Sequence, residues 1–263
     1  MKRIIIMILV LFFATINFAF AMDGKDALDK VRTKIQKEFN ELDESFTQAT
    51  SLIKKSEINE SCIRNALTLL CNANSFAIDC SFINKKGVMQ YVEPSYFKRF
   101  EGTDISGQKQ VQEVQKTKKP VLSDLFVSVE GTYSIDVEYP VIDNKKEFQG
   151  SLSILFRPDA MLADILKSYK DDYIFTVLQA DGVCIYDDNY KLIGRNLKTS
   201  RKHAKSEGFI DAMETITRQK QGTSSYGLIS PVSGEEFVEK IRWDTVSLYG
   251  QDWRIVITEK NKE

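Results

Sequence analysis

Apolar residues recur mostly at threes and fours in the first part of the chain: Ala27, Leu28, Val31, Ile35, Phe39, Leu42, Phe46 and Leu52. Charged residues fill the gaps, as on an amphipathic helix with one buried stripe. No Gly or Pro interrupts Lys25 to Phe82. The spacing therefore predicts helix from 23 to about 75, with a polar break over Glu57 to Glu60. Ser61 is the expected N-cap of the second helix. From Ser75 the rhythm becomes alternation. Phe76, Ile78, Cys80 and Phe82 point one way, and Asn84-Lys85-Lys86-Gly87 reads as a hairpin turn before a return strand over Val88 to Val92. A helical stretch over Ile105 to Lys116 follows. Three strands are then expected, at Val121 to Val127, Thr132 to Ile142 and Gly150 to Phe156, with a linking helix from Asp159 to Tyr169 after Pro158.

The second half repeats this plan. Tyr173 to Leu178 and Val183 to Tyr186 flank the turn Ala180-Asp181-Gly182. A helix ends the polar stretch Ser206 to Arg218, and strands are expected at Thr223 to Leu228, Glu236 to Val246 and Trp253 to Thr258. Lys86-Gly87-Val88 matches Asp181-Gly182-Val183, and Gly102-Thr103-Asp104-Ile105 matches Gly194-Arg195-Asn196-Leu197. A repeat of this length defines architecture before any other clue. The fold class is α+β: a long N-terminal helix, then two modules, each a five-stranded antiparallel sheet with helices on one side.

The leader adds a destination. Met1-Lys2-Arg3 is a short positive start, Ile4 to Phe20 is almost wholly apolar, and Ala19-Phe20-Ala21 has the small-x-small form of a cleavage site. Residues 1–21 are expected to be a signal peptide, leaving a secreted or periplasmic protein. The alternative is an N-terminal membrane anchor. Organisation then reads as a helical region over 22–74, a first module over 75–170 and a second over 171–263.

Composition mainly excludes. The 263 residues carry 36 basic and 37 acidic side chains, for a formal net charge of −1. Runs such as Lys116-Thr117-Lys118-Lys119 are short, so there is no footprint for nucleic acid. Four cysteines stand at Cys62, Cys71, Cys80 and Cys184, with no C-x-x-C among them. Export favours disulfides. On one helix Cys62 and Cys71 fall on opposite faces, which leaves Cys71 with Cys80, or Cys80 with Cys62. The single histidine, His203, sits in a polar run, so a Cys/His zinc site is not expected. G-x-S-x-G, Gly-rich phosphate loops and H-E-x-x-H are all missing. Asp171-Asp172 and Asp187-Asp188 read as surface turns. No enzyme and no cofactor is expected.

Several pieces in order carry a family resemblance. They are Phe82 to Val88, Gly102 to Ser106, Lys119-Pro120-Val121-Leu122-Ser123-Asp124, Val137-Glu138-Tyr139-Pro140-Val141 and Glu147 to Leu152. In the second half Asp181-Gly182-Val183, Ile193 to Leu197, Gln221 to Tyr226 and Trp253-Arg254-Ile255-Val256 keep the pattern. Over about residues 25 to 260 the chain resembles the double Cache family, PAS-like extracytoplasmic sensing regions of chemoreceptors and sensor kinases. The resemblance implies a long helix beside both modules and a small-molecule pocket in the first, between its sheet and the loops over it. In amino-acid-binding members a Tyr-x-Asp stands where this chain has Phe126-Val127-Ser128, and a further Asp stands nearest to Leu155. An upstream Arg-x-Trp-Tyr is also missing from Gly102 to Lys119. A buried ammonium needs carboxylate partners, so these departures favour a carboxylate, an uncharged metabolite or an apolar ligand.

The candidate pocket residues are Tyr96, Arg99, Phe126, Ser128, Tyr133, Asp136 and Arg157, with either arginine able to clamp a carboxylate. Alternation sets Tyr133, Ile135, Val137 and Tyr139 on one face, and Ser134, Asp136 and Glu138 on the other. One of these faces is expected to be wet. The function expected is ligand sensing without catalysis, with a membrane sensor or transporter protein as partner. The alternative is a ligand-free interaction protein, a homodimer through its N-terminal helix.

Overall fold

A computed structural model of the chain describes residues 2–54, 58–199, 206, 208–229, 234 and 236–260, with side chains from residue 24 onward. The side chains of the expected leader, and His203 altogether, lie outside the described residues. Among the described residues no helix is long and apolar enough to cross a membrane. The chain divides into two compact units. One comprises Ile35–Asp164 with Ser247–Asp252; the other comprises the described residues of Met1–Lys34, Ile165–Val246 and Trp253–Glu263.

Helix α1 (Lys2–Lys54) enters the first unit at Ile35 and is followed there by α2 (Glu60–Ala73). The cap of α2 is Asn59 rather than Ser61: its side-chain oxygen accepts from the Cys62 N–H at 3.0 Å. The helix begins two residues earlier than expected, and an amide at position 59 reaches the free N–H groups of the first turn. The sheet contains β1 (Ala77–Asn84), β2 (Met89–Glu93), β3 (Val121–Leu122), β4 (Phe126–Val127), β5 (Tyr133–Ile142) and β6 (Phe148–Phe156). Its order is β2-β1-β6-β5-β3, with β4 also paired to β5. The expected strand over Val121 to Val127 is thus two short strands, because Ser123 turns inward. Its N–H donates to the Asp136 carbonyl at 2.8 Å and its Oγ accepts from the Asp136 N–H at 2.9 Å.

Helices cover both faces of this sheet, which corrects the one-sided expectation. On one face Phe46 of α1 stacks on Tyr139 with ring centroids 5.1 Å apart, above buried Ile135 and Val137. On the other, α3 (Lys109–Thr117) brings Gln110 to Asp136. Neither face of β5 is wet between Ser134 and Glu138; all five residues are buried. Cys71 and Cys80 form a disulfide with Cα atoms 5.8 Å apart, tying the end of α2 to β1, while Cys62 and Cys184 are free and buried.

The recurring Gly-containing pieces have one mechanical role. In the first unit Gly87 (φ +79°) lets its carbonyl accept from the Ile105 N–H at 2.9 Å, while Gly102 donates to the Met89 carbonyl at 2.8 Å. In the second, the Gly182 carbonyl accepts from the Leu197 N–H at 2.9 Å and Gly194 donates to the Cys184 carbonyl at 2.8 Å. Each set clips the loop after the second strand back onto the hairpin. Positive φ at the turn is what selects Gly there.

The second unit holds α4 (Pro158–Leu166) only at its C-terminal end, from Ile165. Its sheet runs β8-β7-β11-β10-β9, built from β7 (Tyr173–Gln179), β8 (Cys184–Asp187), β9 (Gly222–Ile229), β10 (Glu236–Leu248) and β11 (Gln251–Glu259). Helix α5 (Phe209–Arg218) lays Phe209, Ala212, Met213 and Ile216 over buried Trp243 and Ile241. Buried Arg254 donates from Nε to the carbonyls of Ile216 and Gln219, both at 3.1 Å, and so occupies acceptors left open at the end of α5.

Candidate functional site

Three adjacent strands build the floor of a site in the first unit. Register pairs Asp79 of β1 and Asp136 of β5 with the same residue of β6, Leu155, from opposite sides. One step along, Ser81 and Glu138 flank Ser153 in the same way. Because side chains alternate across a strand, these residues share one face, and that face carries three carboxyls in the middle of the sheet. Asp79, Asp136 and Glu138 are each buried.

Their hydrogen bonding is uneven. Ser153 Oγ donates to Asp136 Oδ1 at 2.5 Å and Gln110 Nε2 donates to Asp136 Oδ2 at 3.2 Å. Asp79 Oδ2 and both carboxyl oxygens of Glu138 and of Glu130 are buried without a hydrogen bond of good geometry. Burial, reinforced by the charges of Glu130 and Asp136, pushes the Asp79 carboxyl up to about 8. Burial also raises Asp136 despite the bonds from Ser153 and Gln110, and it raises Glu138 with Asp136 adding repulsion.

A small cavity of about 20 Å³ opens on this floor. Asp79, Ser81, Asp136, Ser153 and Leu155 line it from the sheet, Gln108 lies beside α3, and Phe126, Ser128 and Glu130 close it from β4 and the following turn. Gln108 and Phe126 also line a neighbouring cavity of about 310 Å³, together with Lys109, Gln110, Glu113 and the Val121 to Leu125 segment.

Of the residues expected from sequence, Phe126, Ser128 and Asp136 come together at the small cavity. The other four lie away from it. Tyr96 is 71% exposed. Arg99 is exposed and lies 5.0 Å from the Tyr96 ring centroid and 4.8 Å from that of Phe100, so it packs on aromatics of the Ser95–Phe100 turn. Tyr133 sits at the exposed start of β5, and Arg157 is held by Asp159 at 2.5 Å on the surface. No described residue lining the small cavity is basic, so the expected arginine clamp for a carboxylate is not assembled there. Sequence reading missed Asp79, Glu130 and Glu138. The signal was three neighbouring strands each with a polar face, which looked like a solvent side.

The second unit has a cavity of about 140 Å³, mostly apolar, with Asp187, Tyr226 and Glu239 at one end. Thr176 Oγ1 donates to Asp187 Oδ2 and Tyr226 Oη donates to Glu239 Oε2, each at 2.5 Å. Asp187 is half-buried rather than a surface turn, and burial raises its pKa. Its neighbour Asp188 pairs with Lys170 at 3.1 Å. Among the described residues no group of His, Cys, Asp or Glu is arranged to hold a metal ion.

Comparison with known proteins agrees with this architecture. Residues 37–158 match the family described as HK/GC/Chemotaxis protein-like, sensor domain. An extracellular ligand binding receptor from Desulfohalobium retbaense is 27% identical with a TM-score of 0.73; the match covers 89% of this chain and 39% of that one. The periplasmic sensory domain of the Campylobacter jejuni chemoreceptor Tlp1 is 15% identical, TM-score 0.65, covering 89% of this chain and 92% of that one. The ligand binding domain of the Pseudomonas aeruginosa amino acid chemoreceptor PctC, solved with GABA, is 13% identical with a TM-score of 0.65, covering 90% and 97%. At those lower identities the likeness is one of fold. No curated protein sequence matches the chain. Residues 37–158 thus carry the sensor-domain match, and the fold of the chain is that of Cache-type sensor domains. The chain spans about two fifths of the Desulfohalobium receptor it resembles, 39% of that chain.

Proposed function

We propose that the chain is an exported sensor domain that binds a small molecule in its first unit and passes occupancy to a membrane sensor or transporter protein, without catalysis. One observation carries this reading: a cavity on the first sheet is floored by buried carboxyls, one of which, Asp79, lines it with an oxygen that has no partner. A fold maintained for packing alone gains nothing from such a floor, since buried polar groups without partners are destabilising. The neighbouring cavity of about 310 Å³ falls in the size range of small-ligand sites. Relatives that are periplasmic or extracellular ligand-binding regions support both the export and the sensing.

A thermal-shift screen of the purified chain against a metabolite library tests the reading. Stabilisation by one chemical class, lost on substitution at Asp79 or Phe126, is the expected outcome. No stabilisation by any compound would sink it.

A further inference from the structure

The cavity of the second unit is lined from all five strands of its sheet and from α5. Phe209 and Met213 of α5 stand over it, with Leu228 of β9, Ile241 of β10 and Val256 of β11 from the sheet. Register brings its polar end together: Thr176 pairs with Asp187 on one side and Val256 on the other, and Tyr226 pairs with Glu239. Asp187 accepts from Thr176 Oγ1 at 2.5 Å and from the Asn189 N–H at 2.7 Å, and Glu239 Oε2 accepts from Tyr226 Oη at 2.5 Å. Burial, with the Glu239 charge beside it, raises Tyr226, so its hydroxyl keeps the proton it donates. No described residue lining the cavity is basic. An anion would meet two acidic side chains there and no counter-charge.

We propose that this cavity is a second ligand site that takes a small neutral phenol, one aromatic ring whose single O–H donates to Glu239. Size sets the first limit. The space of about 140 Å³ is close to the roughly 150 Å³ that holds one benzene ring in an apolar protein cavity. The walls set the second. Phe209 packs edge-on to Tyr226 with ring centroids 5.0 Å apart, so a third ring extends an edge-to-face cluster, and the Met213 thioether adds a polarisable contact. The polar end sets the third. Thr176 and the Asn189 N–H occupy Asp187, and Tyr226 occupies one oxygen of Glu239, which leaves the second Glu239 oxygen as acceptor. That suits one O–H and falls short of the three donors of an ammonium. Water fits poorly, because apolar walls give it too few partners. The first-unit cavity has a floor of carboxyls instead, so the two units recognise solutes of different class.

Calorimetric titration of the whole chain with phenol and toluene, and competition against phenol by benzoate and benzylamine, test this. Phenol should bind about two- to tenfold more tightly than toluene, the range that one net hydrogen bond supplies, and neither benzoate nor benzylamine should displace it. Leu228→Phe adds volume from β9, the edge strand, and should abolish phenol binding while the melting temperature stays near that of the parent. Glu239→Leu, at a half-buried position, provides a second variant should the first fold poorly: phenol should fall to the affinity of toluene, with toluene unchanged. Toluene binding as tightly as phenol, displacement of phenol by either charged compound, or phenol binding untouched by both substitutions would overturn the proposal. Phenol binding lost instead on Phe126→Ala would move the ligand to the first unit, overturning this site and leaving the first-unit reading in place. Absence of phenol binding, alongside stabilisation by another compound that depends on Asp79, would do the same.

Discussion

Asp79 is 1% exposed, with one oxygen unpartnered, and burial ahead of the Glu130 and Asp136 charges lifts its carboxyl to about 8. In the unfolded chain an Asp ionises near its ordinary value, so between that value and about 8 the folded state holds a proton the unfolded state has lost. Stability from this group is therefore fully present below the ordinary Asp range and is lost as pH rises through about 8. Asp79→Asn keeps the shape and removes the titration. The variant should unfold at a higher temperature than the parent at pH 8, by roughly 1–3 kcal/mol in stability, and the decline between pH 5 and 8 should flatten. A parent whose melting temperature is level across that range would refute the assignment. Little of this was legible beforehand. Asp136 was a candidate, but alternation alone cannot tell a polar face turned to water from one turned to a covered pocket. Asp79 drew no notice, and Glu138 was set on the same face as Asp136 without being made a candidate, because an acidic residue on a strand reads as a solvent-facing position.

At the scale of elements, the clip between each hairpin and its following loop was legible as a repeated Gly pattern, because only backbone conformation demands Gly at such turns. Gly87 and Gly102 separate the two demands it meets. A Cβ on Gly87 would lie 2.5 Å from Ser106 Cβ and 2.6 Å from its Cα, whereas one on Gly102 (φ +90°) meets nothing within 4 Å. Gly87→Ala should cost roughly 2–4 kcal/mol, combining clash with left-handed strain, and Gly102→Ala about 1 kcal/mol from strain alone. Urea denaturation of the two variants measures the difference, and equal midpoints would count against the steric part. The Cys71–Cys80 staple closes a separation of nine residues. Replacing both with Ser should cost about 2–3 kcal/mol, visible as a lower urea midpoint that added reductant no longer shifts. Strand splitting at Ser123 and the Asn59 cap were not legible, since both depend on a side chain finding a partner that local pattern does not name.

The whole molecule bears on whether it works alone or as a helix-mediated pair. A coiled-coil dimer needs a helix with an unspent apolar stripe. In α1, Ala27, Leu28 and Val31 are buried in one unit, and Ile35, Phe39, Leu42, Phe46, Ala49 and Ile53 are buried in the other. Leu52, at 37% exposed, is the large apolar residue of the described part of α1 left open to solvent. The opposite face carries intrahelical pairs such as Lys30–Asp26 and Lys37–Glu41, which contribute a few tenths of a kcal/mol each and offer a partner nothing apolar. The stripe that suggested dimerisation from sequence is the one consumed by folding. The chain should therefore run as a monomer in light-scattering chromatography at micromolar concentration. Phe39→Ala should destabilise that monomer by about 3–5 kcal/mol without changing its mass, because Phe39 serves the fold. A stable dimer that dissociates on Leu52→Glu, with the fold unharmed, would instead show that one exposed position suffices for pairing, and it would restore the interaction role that the buried stripe argues against.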